Sequence, residues 1–173
     1  MNESLRSGPH VSFHGEARKA LLTGLNATLA ATIDLTYQLK QAHWNVRGAQ
    51  FFTRHQLFDQ LAAHTVVWAD EGPERIGTLG CYAGGTVRLA AAGSPLEEHD
   101  LSAVLGDAHV ASLVQRYAMF AGFLRKRIGE ARTANDPATE TLYTGALRAL
   151  ELDLWLLESH MEPSVGHVGT PHP

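Results

Sequence analysis

The apolar residues of this chain recur at helical spacing in four long blocks, and nowhere do they alternate as a strand would. Leu22, Leu25, Leu29, Ile33, Thr36 and Leu39 form one stripe that runs into His43 and Trp44, which predicts a helix over 16–46. Asn45, Arg47 and Gly48 supply its stop. Phe51, Leu57, Phe58, Leu61, Val66 and Ile76 predict a second helix over 51–79. Val110, Leu113, Tyr117, Ala121, Leu124 and Ile128 predict a third over 104–133. Asn135-Asp136-Pro137 breaks the pattern, and Leu142, Ala146, Ala149, Leu150, Trp155 and Leu157 predict a fourth over 138–160.

Residues 80–103 have a different character, with Gly80, Gly84, Gly85, Gly93 and Pro95. Within them Ser94, Pro95 and Glu97 read as an N-cap, a proline at the first helical position and a capping-box glutamate, so a short helix is expected to start there. A helix of ~28 residues is ~42 Å long at 1.5 Å per residue. A short loop would simply reverse the chain, but this long connection can travel back along the bundle. Helices two and three then run parallel. The expected fold is all-α, a four-helix bundle of the ferritin-like, one-crossover type. One domain over 16–162 is expected, with flexible tails at 1–15 and 163–173.

Composition narrows the function. The 173 residues carry a net charge of -4, with 45% apolar and 18% charged residues, the profile of a globular chain. No basic footprint suggests nucleic acid as the main partner. A single cysteine, Cys81, cannot form an internal disulfide and fits a reducing cytoplasm. The first residues have no apolar run of a secretory signal, and no stretch approaches the ~20 apolar residues that span a bilayer. Ten histidines are the one oddity, and histidine is a common metal ligand.

Helix two carries His55 and Asp59 at i,i+4, and Asp70 and Glu74 at i,i+4. Asp59 to Asp70 is close to three helical turns, so both pairs share one stripe. Imidazole with carboxylates suits iron or another first-row divalent metal. The pairs stand ~16 Å apart along the axis, too far for one ion to touch both. A two-fold copy solves this. Helix two laid antiparallel on its twin would face His55 and Asp59 of one chain with Asp70 and Glu74 of the other, with the axis near His64 and Thr65. Such an interface yields two equal sites. His43 completes the cluster if helix one packs alongside; read alone, a histidine beside Trp44 is equally a hydrogen-bonded core residue. Acids and histidines on a helix are usually a solvated face, but four on one stripe in a chain poor in charge favour ligands.

The run LKQAHWNVRGAQFFTRHQLFDQL, residues 39–61, closely resembles the signature of the Dps proteins, the DNA-binding proteins from starved cells or mini-ferritins. The resemblance covers about 21–162. It rests on the His-Trp-Asn-x-Arg-Gly segment, the His-x-x-x-Asp pair and the later Asp-x-x-x-Glu pair. It implies a four-helix subunit, a hollow dodecamer, and a ferroxidase centre shared by two-fold-related subunits. It implies His43, His55 and Asp59 as ligands from one subunit and Asp70 and Glu74 from the other, with Trp44 beside them. It implies oxidation of Fe(II), generally with hydrogen peroxide, storage of ferric mineral and protection from oxidative stress in the bacterial cytoplasm or nucleoid. Zinc is a possible substitute for iron. The same resemblance suggests Asp136 and Glu140 as pore residues for iron entry, although acids also favour a helix N-terminus for its dipole.

Three departures stand out. Gly72-Pro73 interrupts the Asp70–Glu74 pair, so the helix is expected to kink there, with Glu71 as a substitute ligand. Gln56 follows His55 where many relatives carry an acid. The N-terminal segment holds only Arg6, Arg18 and Lys19 as basic residues, so DNA binding through it is expected to be weak. His160, His167 and His172 are either loose surface histidines or a metal-binding tail cluster. A DNA-compacting shell with a weak or non-iron metal site is the main alternative. An ordinary ferritin with its site inside each bundle is disfavoured, because no Glu-x-x-His motif occurs.

Overall fold

The structure is a computed structural model that describes residues 15–161. All of its elements are helices: α1 (Gly15–Asn45), α2 (Phe51–Thr78), α3 (Val87–Gly93), α4 (Gly106–Thr133) and α5 (Pro137–Glu158). The expected tails lie outside the described residues, apart from Gly15, which opens α1. Among the described residues, no helix is long and apolar enough to cross a membrane.

α1 packs chiefly on α2, and α4 on α5. Two ion pairs set the relative direction of the halves. Arg54 near the start of α2 pairs with Asp107 near the start of α4, and Arg75 near the end of α2 pairs with Asp136 just after α4. α2 and α4 are therefore parallel, and the segment between them is the crossover of a ferritin-like four-helix bundle. The core runs the bundle's length through Leu25, Leu35, Leu39, Phe58, Leu61, Leu113, Tyr117, Leu124 and Leu150.

Local chemistry explains the boundaries. α2 ends in a Schellman turn: Gly80 has φ +79°, its N–H donates to Gly77 and that of Cys81 to Ile76. Arg18 of α1 donates to the freed carbonyls of Leu79 and Gly80, so it serves as a helix cap rather than as a free cation for DNA. Asn135, at φ +55°, makes the α4–α5 turn, a conformation asparagine tolerates better than most residues. Asp136 then caps α5 by accepting from the Thr139 N–H, with Pro137 at the first position.

One expectation needs correction. The crossover helix begins at Thr86, not Ser94. The Thr86 hydroxyl accepts from the Leu89 N–H and the alanine-rich run 90–92 sustains the helix, while Ser94 stands at its end and donates to Asp34 at 2.5 Å. Phe51, Val66 and Trp155, which belong to the apolar patterns of α2 and α5, are exposed. As expected, α2 continues past Pro73 and remains α-helical to Thr78.

Candidate metal centre

His43 and His55 meet where the C-terminal end of α1 crosses the N-terminal end of α2. Their rings stack with centroids 3.7 Å apart. Each ring is pinned by the other's backbone: His43 Nδ1 donates to the His55 carbonyl at 2.8 Å, and His55 Nδ1 donates to the His43 carbonyl at 2.9 Å. A ring nitrogen that donates must carry the proton. In its neutral form each ring is thereby fixed as the Nδ1–H tautomer, which leaves the Nε2 lone pair free. An outer hydrogen bond that orients the ring is the usual preparation of a metal-binding histidine.

Asp59 stands one turn further along α2. The Lys40 ammonium is bonded to its carboxylate and holds it below the usual carboxylate range, with the two histidines acting in the same direction. Lys40 was not foreseen, although it lies three residues before His43 and so on the same face of α1. Asp70, Glu71 and Glu74 are exposed and make no hydrogen bond or ion pair among the described residues. α2 is one unbroken helix, so Asp59 and Asp70 remain ~16 Å apart along it. Among the described residues of one chain, no three histidine, cysteine, aspartate or glutamate side chains gather into a group that could hold a metal ion. The chain thus brings His43 and His55 together, sets Asp59 beside them under Lys40, and leaves Asp70 and Glu74 apart. Trp44 flanks the histidines and is 63% exposed.

Between and around these positions α2 shows apolar side chains to solvent. Phe52, Val66 and Val67 are all more than half exposed, and Tyr37 of α1 joins them. Residues 52, 59, 63, 66 and 70 fall within a narrow sector of the helix, because successive residues turn by about 100°. The carboxylates therefore share their stripe with greasy neighbours, which is unusual for a merely solvated face.

Other charged groups fill structural posts. Asp136 is 1% exposed, with both oxygens bonded to Arg75, so it is a buried anchor and not a free pore residue. Glu140 pairs with Arg132. His64 Nδ1 donates to the buried Asp153, whose carboxyl is pushed up by burial. His99 and His109 form a buried pair, Nε2 to Nδ1 at 3.0 Å, with Ser112 on the far side of His99. A polar cleft of about 180 Å³ opens beside that pair and includes none of the expected metal ligands. His160 is half-buried, and its supposed partners His167 and His172 lie outside the described residues.

Comparison with known proteins agrees with this architecture. The ferritin-like domain family matches residues 22–163. The chain is 34% identical over 146 residues to the "DNA protection during starvation protein" of Agrobacterium fabrum, covering 84% of this chain and 90% of that one. The solved structure of DpsA14 from Streptomyces coelicolor superposes with a TM-score of 0.85 at 31% identity, over 96% of this chain and 98% of that one. Dps from Mycobacterium smegmatis gives 0.86 at 26% identity, over 94% and 98%. Matched in fold over nearly its whole length and in sequence by such relatives, the chain belongs to the Dps group of the ferritin-like family.

Proposed function

We propose that two copies of this chain build paired ferroxidase centres, and that the assembled protein oxidises ferrous iron and stores the ferric product inside a hollow dodecamer. The observation that carries this reading is the reciprocal locking of His43 and His55, which leaves the Nε2 of two stacked rings unbonded near a carboxylate, Asp59, held below its usual range. A chain that stopped there would hold iron poorly. Asp70 and Glu74, unpaired and exposed on the same stripe, supply the missing carboxylates from a two-fold copy. Burying Phe52, Val66 and Val67 against their counterparts gives that copy a reason to dock.

The substrate is Fe(II), and hydrogen peroxide is the oxidant. Two ferrous ions each give one electron to one peroxide, whose O–O bond breaks. Water completes the ferric oxyhydroxide and protons are released. The neutral imidazoles bind through Nε2, and the carboxylates offset the rising charge on iron. Taking up peroxide and iron together protects nearby macromolecules from hydroxyl radicals. Zinc fits the same imidazole–carboxylate donors and is a useful inert substitute.

The test is direct. Fe(II) added to the metal-free protein, followed by peroxide, should give a ferric absorbance faster than in buffer and a mineral within the shell. Oxidation no faster than in buffer would remove the enzymatic reading. A second reading, a DNA-protecting shell with a weak metal site, draws on Lys40, whose ammonium already occupies one carboxylate. Arg18 is committed to capping α2, which leaves this shell few cations for phosphates. Gel shifts should show binding that fades between low and physiological salt.

A further inference from the structure

The strongest unexplained feature is the network around Arg75. Its guanidinium reaches both oxygens of Asp136 at 2.9 and 2.8 Å, the Thr139 hydroxyl at 2.9 Å and the Thr78 hydroxyl at 3.3 Å. Asp136 and Thr139 are buried, and Asp136 simultaneously caps α5. A carboxylate so enclosed needs this cation, since breaking one partner of a buried pair strands the other.

Its place in the chain gives the network a second meaning. Pro73 cannot donate to the Ala69 carbonyl, so α2 lacks an internal hydrogen bond there. The missing bond lies immediately before Glu74. Arg75 is the next residue after Glu74. Side chains of consecutive helical residues point about 100° apart. With Arg75 fixed inward on the α4–α5 turn, the outward direction of Glu74 is fixed too. Asp70 precedes the proline and does not depend on this anchor.

We infer that Arg75, clamped by Asp136 and Thr139, is a positioning residue that aims Glu74 at the metal across the two-fold interface and offsets the loosening by Pro73. The inference rests on the proposed shared centre. It predicts that Arg75 acts through Glu74 and not through the fold at large.

The experiment is a double-mutant cycle read by Co(II) titration of the assembled, metal-free protein, followed in the visible spectrum. Arg75→Ala should weaken cobalt binding by about tenfold to a hundredfold, the range usual for outer residues that orient a ligand. Asp136→Asn should do the same, and Arg75→Lys should restore little because it cannot grip both oxygens. In a Glu74→Ala background, Arg75→Ala should then cost nothing further. Equal losses with and without Glu74 would mean general disruption and would overturn the inference. So would unchanged cobalt binding in Arg75→Ala beside normal binding in the unsubstituted protein. No cobalt binding by the unsubstituted protein would overturn the shared centre and the inference with it. If Arg75→Ala does not assemble, the Asp136→Asn cycle with Glu74→Ala decides the matter.

Discussion

Lys40 sets its ammonium on the carboxylate of Asp59, so one of the proposed iron ligands is already occupied by a cation of the same chain. A metal ion entering the centre must displace that ammonium and then suffers its repulsion. Both side chains are substantially exposed, so the pair is screened by water and is easily parted. Lys40→Ala should therefore tighten Zn(II) binding by a few-fold and raise the carboxyl pKa of Asp59 toward its ordinary value, because the ammonium is what lowers it. Competitive zinc titration checks the first outcome and carboxyl NMR the second. Weaker zinc binding in Lys40→Ala would show that the lysine helps the centre instead of guarding it.

The shared centre makes a prediction that a single-chain site cannot. Asp59→Ala removes a ligand from one half, and Glu74→Ala from the other. Each variant alone should lose tight binding at both sites of its dimer. Coassembled from an equal mixture, they form some mixed dimers in which one site carries both lesions and the other none. With random pairing, roughly a quarter of sites should be native again. Tight zinc sites counted before and after coassembly provide the measurement. No recovery, with mixing verified by mass, would defeat the two-chain model.

Acid should destabilise the subunit through the crossover. Burial, with the neighbouring charges of His109 and Arg116, lowers His99 to about 4 from an ordinary 6.5. His109 is lowered as well, chiefly by burial. Between pH 6.5 and 4 the unfolded chain binds a proton at His99 that the folded chain refuses. Stability is thus fully present above pH 6.5 and is lost as pH falls toward 4, by up to roughly 3 kcal/mol for His99 alone. Denaturant midpoints across that range should show the slope. His99→Gln should flatten it, and an equally steep profile in that variant would contradict the assignment.

How much of this was legible beforehand depended on sequence separation. Helical periodicity and the proline and asparagine breaks placed all four long helices, because those signals are local. His55, Asp59, Asp70 and Glu74 were visible for the same reason, as neighbours on one helix face. The His43–His55 stack needed two helices to cross, and only the motif hinted at it. Nothing local announces that Arg75 will meet Asp136, or His99 will meet His109, since such partners are chosen by packing. Ser94 misled because its capping pattern is real chemistry. Its hydroxyl does accept a local N–H, that of Leu96, but the segment it opens is a turn held by Asp34. Phe51 and Val66 carry the apolar pattern of α2 and yet are exposed. Periodicity marks a greasy face without saying whether the cover comes from the same chain or from another.

The junction of α1, α2 and α4 offers the sharpest test of packing. Gly106 opens α4 and is buried against Arg54. A β-carbon there would stand 2.5 Å from Arg54 Cδ, well inside contact distance, with the guanidinium also in its path. Arg54 is itself nearly buried and pairs with Asp107, so it has no open route of retreat. Gly106→Ala must therefore either push the arginine off Asp107 or shift the start of α4, whose neighbour Leu105 bridges to Arg47 at the end of α1. Overpacking of this kind typically costs about 1–3 kcal/mol. The loss should appear as a lower denaturant midpoint with an unchanged slope. Arg54→Ala should relieve the clash, so that Gly106→Ala costs markedly less in that background. An equal cost in both backgrounds would mean that the β-carbon meets something other than Arg54.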